Sequence, residues 1–163
     1  MAKKKEEKTN VMRTLDQKNI SYIAHTYPED GPVDGVSVAN YLGQDVEQVF
    51  KTLVTKGASG GYYVFDIPVA ENLDLKKAAR AVGEKSIAMI HQKELLPLTG
   101  YIHGGCSPVG MKKQFPTVFH ETVELFDTIC VSAGKIGYQV EAAPGDLIAL
   151  LDAKTADITV EEH

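Results

Sequence analysis

Apolar positions along this chain follow two different periods, and the changes between them mark out the elements. Val11, Met12 and Leu15 fall on one side of a 3.6-residue repeat behind Thr9, which predicts a helix from Thr9 to about Lys18. SYIAHTY (21–27) alternates loosely and stops at Pro28, so it reads as a strand, and PEDGPVDG (28–35) reads as loop. Ser37 is placed to cap a short helix ended by Gly43, and a second short helix is expected over 44–49. FKTLVTK (50–56) and YYVFDIPV (62–69) flank the turn GASGG, a hairpin signature. From Asp74 the period lengthens again: Leu75, Ala78, Ala79 and Val82 share one face, with an Asp cap in front and Gly83 behind. Beyond it the pattern predicts a strand over 86–90, a helical turn in QKELLP and a strand in GYIHGG (100–105). Two or three more strands are expected in TVFHETVEL, TICVSAGK and IGYQVEAA, then a helix opened by Pro144 and a terminal strand in ADITV.

Strands outnumber helices, and short glycine turns join many of them. The expected class is α+β: one curved, mixed and largely antiparallel sheet with helices packed on it. No GxGxxG opens a helix and no Gx4GK[ST] is present, which disfavours a doubly wound nucleotide fold.

Size and charge narrow the picture. A length of 163 residues suits one domain, expected at 9–163 behind a charged leader at 1–8. No apolar run approaches the ~20 residues that span a bilayer. The start, MAKKKEEKTN, lacks the apolar stretch of a secretory signal. The two cysteines, Cys106 and Cys130, show no CxxC spacing, which argues against a disulfide framework or a zinc site and points to the cytoplasm. The histidines lack HxH and HExxH spacing, so neither a metal nor a cofactor is expected. Net charge is −5, which weighs against a broad nucleic-acid footprint, yet Lys76, Lys77, Arg80, Lys112 and Lys113 form local basic groups. Those lysines read either as a solvated face or as a contact for a polyanion.

Candidate chemistry centres on GGCSPVG (104–110). Its glycines permit successive N–H groups to converge, and Pro108 stiffens the loop, so it reads either as a tight connection or as a nest for a carbonyl, carboxylate or phosphate. A Cys106 nucleophile needs a base; His103 is near in sequence, but no cysteine-hydrolase signature surrounds it. Ser107 lacks a GxSxG context. Lys51 stands among apolar neighbours on a strand, where it either snorkels to an edge or lines a cleft. SAGKIG (132–137) is a second small-residue loop, read as a hairpin turn or a ligand contact.

Taken together, KTLV (51–54), LDLKKAARAVG (73–83), TGYIHGGCSPVGMKK (99–113), VSAGKIG (131–137), GDL (145–147) and LDAKTADI (151–158) resemble, in this order, the YbaK-type aminoacyl-tRNA editing domains. That family is shared with the editing domain inserted in bacterial prolyl-tRNA synthetases, and the likeness runs from about Thr9 to Ile158. It implies a pocket for the 3′ end of an aminoacyl-tRNA and removal of cysteine from Cys-tRNA(Pro), with Cys-tRNA(Cys) a second candidate. Prolyl-tRNA synthetase is the implied partner. By the resemblance, Lys51, Gly104, Gly105 and Ser107 carry catalysis. Tyr27, Thr52, Cys106, Pro108, Gly110, Ser132, Gly134 and Gln139 line or shape the substrate site. Two departures stand out: Gln139 replaces an expected acid, and the loop 30–36 lacks an expected aromatic, leaving Asp34 or Val36 at the rim.

The resemblance further implies that the substrate's own thiol attacks its ester, with loop N–H groups and Lys51 stabilising charge. The residues alone leave two rivals open: a non-catalytic aminoacyl or nucleotide binding module, and a conventional hydrolase using Cys106 or an activated water.

Overall fold

The computed structural model describes residues 8–161, so all of the expected charged leader except Lys8 lies outside the described residues. Helix α1 (Asn10–Gln17) begins where Thr9 Oγ1 accepts the Met12 N–H, and it buries Val11, Met12 and Leu15 as their spacing predicts. Strand β1 (Tyr22–Thr26) follows. Helix α2 (Gly35–Leu42) starts earlier than expected. Asp34, not Ser37, is its cap: the Asp34 carboxylate accepts both the backbone N–H and the hydroxyl of Ser37. A carboxylate three residues ahead reaches the free amides that a residue already inside the first turn cannot. The expected helix at 44–49 is only a turn, held by Asp45, which accepts the Glu47 N–H.

The hairpin forms as predicted, from β2 (Phe50–Gly57) and β3 (Tyr62–Pro68), with Thr52 opposite Asp66. Helix α3 (Leu75–Val82) has the cap and stop that its sequence announces, Asp74 and Gly83. Strand β4 (Ile87–Met89) pairs with β2, and α4 (Gln92–Thr99) is a full helix where a single turn was expected. Its Pro97 lies in the last turn. The stretch 100–105 is not a strand: Gly100 ends α4 in the left-handed region, and a turn closes at once between the Ile102 carbonyl and the Gly105 N–H. Strand β5 (Thr117–His120) is shorter than its apolar pattern, because 121–125 curls into a 3-10 turn. Strands β6 (Ile129–Ser132) and β7 (Tyr138–Ala142), helix α5 (Pro144–Leu151) and strand β8 (Lys154–Ala156) complete the chain. The terminal strand thus ends at Ala156, the first residue of ADITV, and beyond it Thr159 makes only a bridge to Leu73.

The fold is mixed α+β, but the strands form two sheets rather than one. A three-stranded antiparallel sheet has the order β1-β7-β6, and a five-stranded mixed sheet has the order β4-β2-β3-β5-β8. Four strand pairs are antiparallel; β3–β5 and β5–β8 are parallel. The sheets join where Val49, just before β2, bridges Cys130 of β6. Phe65 and Ile67 turn one face of the larger sheet toward Ala78 and Ala79 of α3. Phe50, Val54 and Val64 turn the other face toward α1, α5 and the small sheet, forming the larger core. Each such fully buried side chain contributes about 1.5–3 kcal/mol. Among the described residues no helix is long and apolar enough to cross a membrane.

Candidate active site at the junction of two sheets

Where the sheets join, the start of β2, the small sheet, the 33–38 segment and the glycine loop enclose a cavity of about 370 Å³. That volume falls in the range of small-ligand sites. Among the residues singled out from the sequence, Tyr27, Asp34, Val36, Lys51, Thr52, His103, Gly104, Cys106, Ser132 and Gln139 line it. Lys51 and the glycine loop therefore face one space, although about 50 residues separate them in the chain.

Lys51 is half-buried, and loss of water holds its ammonium below the ordinary lysine range, with the Glu71 carboxylate pulling the other way. It makes no hydrogen bond or salt bridge among the described residues, which leaves its charge to a ligand.

The glycine loop is held from behind. The Tyr101 hydroxyl donates to the Val109 carbonyl at 2.5 Å, and Ser107 Oγ accepts the Val109 N–H at 3.2 Å. Gly104 takes φ +88° inside the 102–105 turn, a conformation open to glycine at little cost. The second small-residue loop packs onto this support. A Cβ on Gly134, itself at φ +89°, would lie 2.8 Å from the Tyr101 ring, and one on Gly105 would lie 3.2 Å from the Ile136 nitrogen. Ser107, Pro108, Gly110 and Gly134 accordingly shape the loops from outside the cavity lining, and Ser107 is fully buried. The Gly105 N–H is already spent on Ile102. Gly104 and Cys106 line the cavity, and the backbone N–H of neither finds an acceptor among the described residues.

Cys106 is a poor nucleophile here. Burial and the nearby Asp66 push its thiol up to about 12, so it stays protonated near neutrality. Ser132 Oγ accepts the Gly134 N–H at 3.1 Å, so its own proton is free to turn toward a ligand. Gln139 is buried and exchanges two amide hydrogen bonds with Gln44, at 2.6 and 3.1 Å. Asp34 and Val36 both line the rim that lacks an aromatic.

Sequence reading missed the polar groups behind these walls. Asp66, in YYVFDIPV, is fully buried and accepts the Thr52 hydroxyl at 2.5 Å. Its signal was a lone carboxylate in an apolar strand run. His25, Cys130 and Glu141 bring potential ligand atoms within 4.8 Å of one another on the small sheet. Both Glu141 oxygens are already engaged, by His25 at 2.8 Å and by the Thr128 hydroxyl at 2.5 Å, which fits a cross-strand polar network.

Of the basic candidates, Lys77 is committed to Asp157 at 3.0 Å, to the Thr159 carbonyl at 2.9 Å and to Glu161 at 3.6 Å. Lys76, Arg80, Lys112 and Lys113 are exposed.

Lys51, Gly104, Cys106 and His103 thus share one small cavity, and among the described residues no hydrogen bond joins Cys106 to a base. The aminoacyl-tRNA editing domain family matches this chain over residues 30–150, and the chain belongs to that family. A protein of Enterococcus faecalis, EbsC, named for a proposed Cys-tRNA(Pro)/Cys-tRNA(Cys) deacylase activity, is 46% identical over 164 residues, covering 99% of this chain and all of its own. A solved structure described as a proposed trans-editing enzyme for prolyl-tRNA synthetase aligns with a TM-score of 0.81 at 27% identity, over 93% of this chain and 95% of its own. The hypothetical protein APE2540 shares the fold, with a TM-score of 0.84 at 21% identity, over 92% of this chain and 99% of its own.

Proposed function

We propose that this protein is an aminoacyl-tRNA deacylase that removes cysteine from Cys-tRNA(Pro), with Cys-tRNA(Cys) a second substrate, residues 9–163 acting as one editing domain in the cytoplasm. The observation that carries the reading is the shared cavity of Lys51 and the Gly104–Cys106 turn, open to a ligand and lacking a competent protein nucleophile.

The substrate supplies what the protein lacks. A few per cent of a free thiol is thiolate near neutral pH, and that form is strongly nucleophilic. Held against its own ester carbonyl, the cysteinyl sulfur attacks in an intramolecular step. The carbon–sulfur bond forms and the ester carbon–oxygen bond breaks. The terminal ribose oxygen leaves and takes up a proton, and water then opens the four-membered thiolactone to give cysteine. The N–H groups of Gly104 and Cys106 face the developing oxyanion, each well-placed donor contributing ~3–4 kcal/mol. Lys51 adds positive charge beside the ester. It also favours thiolate over thiol.

Exposed Lys76, Arg80, Lys112 and Lys113 supply contacts to the tRNA backbone. On a protein of net charge −5 these contacts are weak and salt-sensitive. Association with prolyl-tRNA synthetase then provides the local concentration that intrinsic affinity does not. The test is release of labelled cysteine from Cys-tRNA(Pro). Turnover that Lys51→Ala abolishes supports the reading. Tight binding of a cysteinyl-adenosine analogue without cysteine release identifies a binding module instead.

A further inference from the structure

Asp66 has no packing reason to be an aspartate. It is fully buried on β3, between Thr52 of β2 and Phe119 of β5. Its neighbours in the strand, Val64, Phe65 and Ile67, are apolar and fully buried. Its Oδ1 accepts the Thr52 hydroxyl at 2.5 Å, while its Oδ2 is buried with no partner. A bare carboxylate oxygen inside a core is destabilising, and an apolar side chain would fill the space without that penalty. Among the described residues the side-chain hydrogen bond of Asp66 goes to Thr52, which lines the ligand cavity.

We infer that Asp66 is a positioning residue: from behind the cavity wall it sets the direction of the Thr52 hydroxyl, and so decides whether Thr52 offers a lone pair or a proton to the aminoacyl group. The inference rests on the deacylase reading above.

The chemistry follows from the donor inventory. A threonine hydroxyl has one proton and two lone pairs. An ionised Asp66 only accepts, so it takes the Thr52 proton and leaves the lone pairs of Oγ1 facing the cavity. A cysteinyl ester presents an α-ammonium group, a donor suited to them, and the buried charge behind the hydroxyl strengthens that bond. A protonated Asp66 does the reverse. With its proton on Oδ1 it donates to Thr52, and the Thr52 proton turns into the cavity, toward the ammonium it repels. Of the other lining groups, Asp34 already accepts twice from Ser37 and Gln139 is paired with Gln44, while Thr52 is backed by a buried carboxylate.

The state of Asp66 changes in a useful range, because burial pushes its carboxyl up to about 7 against the pull of the Thr52 hydrogen bond. Thr52 from β2, Phe119 from β5 and Cys106 from the glycine loop stand around it. Cys106 is the titratable group among them, and it stays neutral through this range.

The experiment is kcat/KM for cysteine release from Cys-tRNA(Pro) between pH 5.5 and 8.5, for the wild type, Asp66→Asn, Thr52→Val and Thr52→Ser. Taking the wild-type to Asp66→Asn ratio at each pH cancels the ionisation of the substrate's own thiol, which acts equally with both proteins. The expected ratio is near one at pH 5.5 and rises through pH 7 to about tenfold, the size of one charge-assisted hydrogen bond. The loss should appear in KM more than in kcat. Thr52→Val should behave like Asp66→Asn, and Thr52→Ser should keep the wild-type profile, which separates positioning from a folding defect. An active wild type with a ratio that does not change with pH overturns the role of Asp66 alone. A wild type that releases no cysteine at any pH overturns the deacylase reading, and this inference falls with it.

Discussion

Replacing Asp66 with asparagine should make stability less sensitive to pH. Folding raises the Asp66 carboxyl from its ordinary 3.8 to about 7, because burial disfavours the charge more than the Thr52 hydrogen bond supports it. The folded chain therefore binds this proton more tightly than the unfolded chain does. Between about pH 4 and pH 7 the folded state holds more protons, so this group's contribution is fully present below pH 4, falls as pH rises and is lost above pH 7. The gap between 3.8 and about 7 amounts to ~4 kcal/mol, a large part of an ordinary folding free energy. Asparagine has the same shape and, like the protonated carboxyl, can donate to Thr52, but it never ionises. Urea unfolding at intervals from pH 4 to pH 8 should show the variant gaining ~4 kcal/mol on the wild type across that range. A difference between the two proteins that stays constant with pH within about 1 kcal/mol would refute the argument. The ionised Asp66 that serves Thr52 near neutrality is, on this account, the state that costs stability.

Other outcomes follow from the same geometry. Lys51→Ala should lower single-turnover cysteine release at least ~100-fold while leaving the urea midpoint nearly unchanged, since a half-buried, unpaired ammonium adds little to folding. Cys106→Ala should keep cysteine release within a few-fold, and iodoacetamide should label wild-type Cys106 slowly below pH 9, because its thiol is pushed up to about 12. An inactive but folded Cys106→Ala protein would return the nucleophile to that residue. Gly134→Ala should destabilise by about 1–3 kcal/mol and slow release by loosening the glycine loop, because its φ is +89° and its Cβ would meet the Tyr101 ring at 2.8 Å. Unchanged melting and activity would show that the two loops are not interlocked through Tyr101.

The elements that could be read from sequence are those whose local signals agree. Asp74, the apolar stripe of α3 and Gly83 all describe one helix, and GASGG between two apolar strands describes one hairpin. Local signals misled where tertiary contacts decide. Ser37 is a good cap in isolation, but Asp34 starts the helix three residues earlier and takes the Ser37 N–H itself. GYIHGG has strand composition, yet Gly100 has already reversed the chain and the Ile102–Gly105 turn leaves no length for pairing. Two sheets were read as one because the Val49–Cys130 bridge joins residues about 80 apart. Distance in sequence also hides part of the site. Lys51 and the glycine loop were visible as types, and their shared cavity comes from contacts about 50 residues apart in the chain. Asp66 stood out only as a lone carboxylate in an apolar strand run, and what makes it a site residue, its burial and the Thr52 hydroxyl, comes from the fold.

The most direct test of the central claim changes one atom in the substrate. Cys-tRNA(Pro) and Ser-tRNA(Pro) carry amino acids that differ by sulfur against oxygen, on the same tRNA. With the cradle supplying only position and charge, cysteine should be released and serine should remain at its uncatalysed rate. Release of serine at a rate close to that of cysteine would mean that a protein group or an activated water cuts the ester, and would contradict the account.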